Sequence, residues 1–415
     1  MSYETEPNAD RLDDLLQDER TLVERLAACD REIAGVLDRA LEGRQPTVDE
    51  GARLLGLRDQ DLSALVATAD AIRKEDVGDV VTYVVNRNIN WTNICFVGCK
   101  FCAFAHYKHE AEAYDIPVET LLAKVQDAVD RGATEVCMQG GINPEMDADG
   151  YFRVLTRVKE AFPQIHVHAY SPMEIMYGAR RAGMDYPTYI GRLKELGIGS
   201  IPGTAAEILD DEIREILSHK KLSVATWVEI VKTAHALGVP TTSTVMYGHI
   251  ETPMHVARHI DLLRSIQAET GGFTEFVPLR FIWQNTRLYH EGLVRPIPQG
   301  QLDLAVYATS RLMLRGMIDN VQTSWVKVGH KLATLTLLAG CNDMGGTLME
   351  ESISREAGAD AGEYTSVDEL RAMIRSVGRI PRQRNTLYGL IDEPEHEIGD
   401  VANQGYAASG WSGSS

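Results

Sequence analysis

Short β-branched runs alternate with longer amphipathic segments from about residue 79 onward, and this alternation is the strongest constraint on the fold. Repeated strand–helix units of this kind predict a parallel sheet with helices packed against it. The runs with strand character are Val80–Asn86, Glu135–Met138, Ile165–Tyr170, Ile198–Ile201, Pro240–Met246, Phe276–Leu279, Asn320–Thr323 and Leu338–Cys341. The helical stretches are Val118–Arg131, Tyr151–Ala161, Tyr186–Leu196, Thr226–Leu237 and Met254–Thr270.

Eight such units over roughly 270 residues match the size of a (β/α)8 TIM-type barrel, which takes about 250 residues. We therefore predict an α/β barrel over residues 76–345. A partly open barrel of about six strands with trailing elements is the alternative.

The flanking segments differ from the barrel in pattern. Residues 1–75 carry apolar side chains at helical spacing, from Arg11 to Leu41 and from Thr47 through Ile72, which predicts an N-terminal helical extension. Residues 346–390 form a C-terminal segment with a helix over Ser366–Val377 and a basic run that ends at Arg384, which we expect to be solvated or to close over an anion. Residues 391–415 are acidic and then Gly/Ser-rich, which predicts a disordered tail.

Composition excludes several classes of partner. The chain has 415 residues, 44% of them apolar, which is enough for a substantial core. A net charge of −19 argues against nucleic-acid or anionic-membrane partners, because phosphate groups require a basic surface. No stretch is long and apolar enough for a bilayer span, and the acidic start lacks a targeting pattern. We expect a cytoplasmic protein that acts on small molecules.

Three of the six cysteines lie in one segment, Cys95-Phe-Val-Gly-Cys99-Lys-Phe-Cys102. Three thiolates are one fewer than the four that normally close a [4Fe–4S] cluster, so one iron is left open for a small molecule. The alternative is a Cys3His zinc knuckle that includes His106. Structural zinc sites usually take their ligands from two separated loops, which favours the cluster.

Polar and glycine-rich turns follow the predicted strands, at the rim where a parallel barrel assembles its active site. Tyr170 ends the third strand and Glu174 follows it, and Tyr247 and His249 follow the fifth, so these side chains are the candidate catalytic groups. Two histidines of the third strand point inward by strand periodicity. For His166 a hydrogen-bonded core role is favoured, whereas His168 is as well explained by a role in the site.

The cysteine loop resembles that of the radical S-adenosylmethionine (SAM) enzymes. The resemblance implies that the amino and carboxylate groups of SAM fill the open iron position, and that an electron from the cluster then yields a 5′-deoxyadenosyl radical. It places Phe101 against the adenine and the backbone of Gln139-Gly140-Gly141 at the amino group of SAM, although Ile142 stands where a glutamate is common. Further cofactor contacts are expected from Ser171, Glu174 and Glu207. A first-turn glutamate favoured by the helix dipole is the competing explanation for Glu207.

Longer strings extend the resemblance to the second-subunit family of FO synthase, from about residue 55 to 390. The strings are Asn-Ile-Asn-Trp-Thr-Asn-Ile-Cys95, Met-Gln139-Gly-Gly-Ile-Asn-Pro, His168-Ala-Tyr-Ser-Pro-Met-Glu174, Pro202-Gly-Thr-Ala-Ala-Glu207, Thr244-Val-Met-Tyr-Gly-His249 and Gly271-Gly-Phe-Thr-Glu-Phe-Val-Pro-Leu279.

This resemblance implies a transferase that joins the 4-hydroxybenzyl group of L-tyrosine to 5-amino-6-(D-ribitylamino)uracil, on the route to coenzyme F-420. The adenosyl radical would take a hydrogen atom from the amine of tyrosine, the Cα–Cβ bond would break, and iminoacetate would leave. Because the chain has only one cluster motif, a separate radical SAM subunit is expected to complete the ring system. An electron donor is also implied.

One departure keeps a second enzyme class open. After the sixth strand the chain has Leu279-Arg280-Phe281-Ile-Trp283, where the family has a Leu-Pro-Phe-like run. The related menaquinone-pathway enzymes, aminofutalosine synthase and dehypoxanthine futalosine cyclase, are therefore the alternative. A non-enzymatic metal-binding scaffold is a further hypothesis, but it would not need polar residues pointing inward on several strands.

Overall fold

The computed structural model of the protein describes residues 18–297 and 300–391. Within these residues four helices come first: α1 (Leu22–Ala28), α2 (Arg31–Leu41), α3 (Val48–Leu55) and α4 (Asp59–Val77). The predicted segment up to Leu41 is thus broken once, because Asp30 caps α2 and accepts hydrogen bonds from the backbone of Glu32 and Ile33 at 2.9 and 3.1 Å. Predictions for residues 1–17 and for the tail over 392–415 lie outside the described residues.

The strands that follow pair in parallel. They are β1 (Val80–Val84), β2 (Asn86–Asn90), β3 (Glu135–Gln139), β4 (His166–Ala169), β5 (Thr241–Tyr247), β6 (Phe273–Arg280), β7 (Asp343–Gly346) and β8 (Ile380–Arg384). They form three sheets of order β7-β1-β8, β2-β3-β4 and β5-β6. The parallel pairing confirms an α/β fold.

Single-residue bridges connect the three sheets. Ser200 pairs with His168 and Ile201 with Thr241, which links β4 to β5. Val321 and Gln322 link β6 to β7 in the same way. The predicted strands Ile198–Ile201 and Asn320–Thr323 are therefore present only as bridges, and the regular strands alone do not make a complete TIM barrel.

The prediction of a strand at Leu338–Cys341 is wrong. These residues form a turn at the end of a helix, in which the amides of Leu338 and Cys341 donate to the carbonyls of Leu335 and Thr336. The last strand of the predicted series is instead β7, whose Asp343 pairs with Thr82 of β1. The prediction took the apolar character of these residues as a sign of a strand. In the structure apolar residues of this turn pack in a core cluster with helices.

The prediction that the basic run ending at Arg384 is solvated or closes over an anion is also wrong. It forms β8, which pairs with β1 from Val80↔Ile380 to Val84↔Arg384. Arg384 is buried and donates to Asp343 Oδ1 at 3.1 Å and to Glu275 Oε2 at 3.3 Å. Its positive charge is therefore paired with carboxylates of the protein itself.

The remaining helices cover the strands or connect them. They are α5 (Val118–Asp130), α6 (Gly150–Ala161), α7 (Pro172–Ala182), α8 (Tyr186–Glu195), α9 (Asp211–Ser218), α10 (Val224–Ala236), α11 (Pro253–Thr270), α12 (Arg287–His290), α13 (Gln301–Leu314), α14 (Trp325–Thr336), α15 (Ser352–Ala357) and α16 (Val367–Ser376). Six of them coincide with predicted helices to within two residues at each end. Within the described ranges, no helix has the length and apolar character that crossing a membrane requires.

Two apolar clusters form the core of the part of the chain that the structure describes. The larger lies between β2–β6 and the helices that cover them. In the second, Leu37 and Leu65 of the N-terminal helices pack with Val81 of β1 and Leu312 of α13. The N-terminal helices therefore share a core with the first strand, and residue 75, the predicted boundary of the extension, lies inside α4.

Candidate active site

The three cysteines of the loop after β2 line one cavity at the carboxyl ends of the strands. Backbone hydrogen bonds fix this loop: the amide of Cys95 donates to the carbonyl of His106 at 3.0 Å, and the amide of Phe96 donates to that of Ile142 at 3.2 Å. The amide of Cys102 donates to the carbonyl of Cys99 at 3.3 Å. The loop therefore presents all three thiols from a fixed backbone.

The donor set fits a [4Fe–4S] cluster better than a zinc ion. Burial, together with the neighbouring thiols, raises the pKa of Cys99 to about 12 and also raises the pKa of Cys102, so a bound metal group must supply the charge that stabilises the thiolates. In the described part of the chain no three His, Cys, Asp or Glu side chains converge as ligands of one metal ion would. A cluster does not need such convergence, because each thiolate binds its own iron. His106 Nδ1 lies 2.9 Å from Glu110 Oε2.

The Gln139-Gly140-Gly141 turn packs directly against the cysteine loop. A β-carbon on Gly140 would lie 2.7 Å from Trp91 Nε1, and one on Gly141 would lie 2.3 Å from the carbonyl oxygen of Ile94. The amide of Gly141 donates to the carbonyl of Thr92 at 2.7 Å. Glycine is therefore required for the backbone approach that forms this wall of the cavity.

We expect Gly141→Ala to destabilise the protein by about 1–3 kcal/mol, the usual cost of overpacking. Because Ile94 precedes Cys95, relief of the clash would also displace the first thiol and weaken iron retention. Urea unfolding and the iron content after gel filtration measure the two effects. The matched control is Gly191→Ala in α8, where a β-carbon meets nothing within 4 Å and helix stability should rise slightly. Equal iron retention and equal stability in both variants would contradict the expectation.

Glu174 and Ser171 hold the glycine turn in place. Glu174 Oε1 accepts from the amide of Gly140 at 3.0 Å, and Oε2 accepts from the amide and the hydroxyl of Ser171, each at 2.7 Å. The same pair forms the capping box of α7. Burial raises the pKa of Glu174 to about 7, although these hydrogen bonds act to lower it. Ser171 lines the cavity, whereas Glu174 acts on it through Gly140.

Glu207, Phe101 and Lys221 form a cluster on another wall of the cavity. Glu207 Oε1 accepts from Lys221 Nζ at 2.6 Å, and Glu207 Oε2 lies 3.4 Å from Arg214 Nη1. Lys221 Nζ lies 5.1 Å from the ring centroid of Phe101, within the range of a cation–π contact. Sequence reasoning missed Lys221, because nothing local separates it from the neighbouring Lys220.

Three of the predicted catalytic side chains are engaged in the core. The Tyr170 hydroxyl donates to the carbonyl of Tyr151 at 2.9 Å, and the Tyr247 hydroxyl donates to Asp303 Oδ1 at 2.7 Å. In the His249 ring, Nε2 lies 3.0 Å from the carbonyl oxygen of Met246, and Nδ1 lies 3.1 Å from Glu251 Oε2. Within the described ranges, none of the three lines either cavity, and the structure does not bring them together with the cysteines. Their catalytic roles stay predictions.

Arg280 and Trp283, the departure from the family pattern, do not place a free charge at the mouth. Arg280 Nη1 lies 2.6 Å from Asp303 Oδ1 and 2.7 Å from Oδ2, and both residues are buried. The ring of Trp283 packs on that of Tyr289 at a centroid distance of 4.4 Å. The arginine therefore acts in the core that surrounds the cavity.

A second cavity of about 260 Å³ lies deeper between the strands. Its polar lining includes Asn86, Asn88, Glu135, His168 and Gln322. It shares wall residues with the cysteine cavity: Gln139, Thr204, Thr244, Leu279, Lys327 and Ile353. The two cavities are therefore adjacent, with one group of residues between them.

The two histidines of β4 bind the same serine. His166 Nε2 and His168 Nδ1 lie 2.7 and 2.6 Å from Ser200 Oγ. His168 lines the inner cavity, and burial lowers its pKa to about 4, which keeps the ring neutral. His166 does not line either cavity of the described chain, in keeping with a core role.

Comparison with known proteins agrees with this geometry. The sequence profile of the Radical SAM superfamily matches residues 89–263, and that of the CofH/MqnC C-terminal region matches residues 270–397. The crystal structure of methylornithine synthase (PylB) superposes with a TM-score of 0.65 at 18% identity, covering 83% of this chain and 97% of that one. This likeness concerns the fold alone.

Two curated relatives are much more similar in sequence. The 5-amino-6-(D-ribitylamino)uracil–L-tyrosine 4-hydroxyphenyl transferase of Methanothermobacter thermautotrophicus is 47% identical over 359 residues, which cover 86% of this chain and 97% of the relative. FO synthase of Mycobacterium tuberculosis is 51% identical over 330 residues, 80% of this chain but 39% of the longer protein. The chain thus belongs to the radical SAM superfamily and, within it, to the family of the 5-amino-6-(D-ribitylamino)uracil–L-tyrosine 4-hydroxyphenyl transferases.

Proposed function

We propose that this protein transfers the 4-hydroxybenzyl group of L-tyrosine to 5-amino-6-(D-ribitylamino)uracil. The observation that carries the proposal is the adjacency of the two cavities, one lined by three cysteines and the other by amide, carboxylate and imidazole groups. The 47% identity to a transferase of that name over nearly its whole length supports the same substrates.

The cysteine cavity has the residues for the cofactors. Cys95, Cys99 and Cys102 would hold a [4Fe–4S] cluster, and the glycine turn and Phe101 would lie beside SAM. When bound, these two cofactors supply a 5′-deoxyadenosyl radical. The protein's own part is to fix the thiols, to pack the Gly140–Gly141 backbone against the cysteine loop, and to hold the Glu207–Lys221 pair against the ring of Phe101.

The inner cavity suits a polar second substrate. Asn86 Nδ2 donates to Glu135 Oε1 at 3.0 Å, and an Asn88 amide hydrogen bonds to Glu351, so the lining groups are already oriented. Carbonyl, amine and polyol groups require such hydrogen-bonding partners when they leave water. We infer that the uracil and its ribityl chain occupy this space.

The strand pairings support a closed barrel as part of the proposal. Strand β1 leads along the chain directly into β2. From β2 the pairings run through β3, β4, Ser200–Ile201, β5, β6 and Val321–Gln322 to β7, which pairs with β1. Such a barrel would enclose the inner cavity and open at the cysteine loop. The tyrosine-dependent transfer supplies only part of the deazaflavin ring system, so we propose that a separate radical SAM subunit and an electron donor act with this chain.

Product analysis tests the proposal. Anaerobically reconstituted protein is incubated with SAM, a reductant, tyrosine and the ribitylaminouracil, and 5′-deoxyadenosine is measured. We expect 5′-deoxyadenosine to form only when tyrosine is present, together with a uracil product that carries the hydroxybenzyl group. Formation without tyrosine would rule the proposal out, and formation only with an enolpyruvyl ether in its place would support a menaquinone-pathway enzyme.

A further inference from the structure

Lys327 lies where the two cavities meet. It is the third residue of α14 and lines both the cysteine cavity and the inner cavity. The side chain is half-buried, and burial lowers the pKa of its ammonium group, against the opposing effects of Glu351 and Cys102. A lysine in such a position pays a desolvation cost unless an anion binds to it.

The other cationic side chains that line the cavities already have carboxylate partners. Lys221 pairs with Glu207 at 2.6 Å and Arg280 pairs with Asp303 at 2.6 Å. Arg384 lies between Asp343 and Glu275. These three charges are therefore neutralised within the protein.

Lys327 differs from them. Among the residues that the structure describes, no hydrogen-bonding group binds its ammonium group and no carboxylate lies within ion-pair distance. Glu351, whose charge acts on Lys327, is engaged elsewhere: Oε1 accepts from the amide and hydroxyl of Ser354 at 3.0 and 2.9 Å, and Oε2 accepts from Asn88. Lys327 thus presents an unneutralised positive charge to both cavities.

We propose that Lys327 binds the carboxylate of the amino-acid substrate and so fixes the end of that substrate from which the side chain is removed. The inference rests on the proposed function, in which that substrate is L-tyrosine. SAM also carries a carboxylate, and one of its expected contacts, Gln139, lines both cavities, whereas Phe101, Gly140 and Gly141 line the cysteine cavity alone. In the proposed reaction tyrosine has to lie between SAM and the uracil of the inner cavity, and Lys327 stands at that junction. We therefore assign the lysine to the substrate.

Direct binding tests this assignment. Equilibrium dialysis of radiolabelled tyrosine against the cluster-reconstituted full chain compares the wild type with Lys327→Met, which removes the charge but keeps the length. A hydrogen bond to a charged group contributes about 1.5–3 kcal/mol, so the affinity for tyrosine should fall about 10- to 150-fold. Lys327→Arg should recover part of the affinity. The matched control is Lys331→Met, which removes an exposed charge from the same helix and should bind tyrosine like the wild type.

Tyramine lacks the carboxylate, so comparing it with tyrosine in the wild-type protein gives a test that does not depend on folding of the variant. Wild-type protein should bind tyramine far more weakly than tyrosine, and Lys327→Met should bind the two about equally. SAM affinity should be the same in both proteins.

Three outcomes would overturn the assignment. They are unchanged tyrosine binding in Lys327→Met, equal affinity of the wild type for tyrosine and tyramine, and a loss of SAM affinity in place of tyrosine affinity. Failure of the proposed function is distinguishable, because wild-type protein would then form 5′-deoxyadenosine without any requirement for tyrosine.

Discussion

Cys99→Ala is expected to abolish both iron incorporation and 5′-deoxyadenosine formation. Two thiolates are too few to hold a four-iron cluster, and Cys99 is the middle ligand of a loop whose backbone cannot supply another. The fold should survive, because the side chain lines a cavity and makes no hydrogen bond in the described structure. Iron and sulfide content, the broad visible absorbance of anaerobic protein and far-UV circular dichroism measure these effects.

The matched control is Cys29→Ala, which removes a thiol at the end of α1, away from the loop. It should keep the brown colour and full turnover. A Cys99→Ala protein that still made 5′-deoxyadenosine would refute the assignment of this thiol as a ligand.

Asp303→Ala is expected to cause a large loss of stability. Asp303 is fully buried, binds Arg280 through both carboxylate oxygens, and accepts from the Tyr247 hydroxyl at 2.7 Å and from the amide of Gly300 at 2.7 Å. Removing it leaves a buried guanidinium without its partner, which costs about 3–5 kcal/mol. The midpoint and slope of urea unfolding measure this loss.

Two further variants separate charge from packing. The double variant Arg280→Met with Asp303→Leu removes the unpaired charge and should recover part of the stability, because apolar replacements of buried ion pairs are often tolerated. Asp38→Ala, at an exposed position of α2, should change stability by less than about 0.5 kcal/mol. A loss below about 1 kcal/mol for Asp303→Ala would show that the pair is not structurally important.

Local sequence patterns were sufficient to predict much of the fold and the centre of the candidate site. The strands β3 and β5 and the helices α5, α6 and α8 have the periodicity that burial of one face requires, and the structure places them where the sequence predicts. The three cysteines and the Gln139-Gly140-Gly141 turn line one cavity. Such elements are encoded by neighbouring residues, which is why sequence reasoning could find them.

Elements that depend on distant partners were missed. Strand β7 has the sequence Asp-Met-Gly-Gly, with little intrinsic strand preference, and is extended because it pairs with β1. Arg384 is buried because it pairs with Asp343 and Glu275, which lie 41 and 109 positions earlier in the chain. The sequence pattern around either element carries no trace of these contacts.

The candidate side chains of the site show the same limit. Strand register predicted where Tyr170 and Tyr247 sit, but the direction of their hydroxyls is set by Tyr151 and Asp303, which belong to other segments. Lys327 stands in a segment to which the sequence analysis assigned no function, and the helix that carries it is seen only in the structure. Its importance becomes visible when the pairing of every other cation in the two cavities is known.

The pairing of β1 with β8 bears on how the protein is synthesised. Val80 and its partner Ile380 are 300 positions apart, so at about 5–20 residues per second the ribosome needs roughly 15–60 s to deliver the second strand after the first. Throughout that interval one side of β1 has unfilled amide and carbonyl groups, a template for wrong association between nascent chains. We therefore expect chaperones that cover this edge during translation to raise the yield of folded protein.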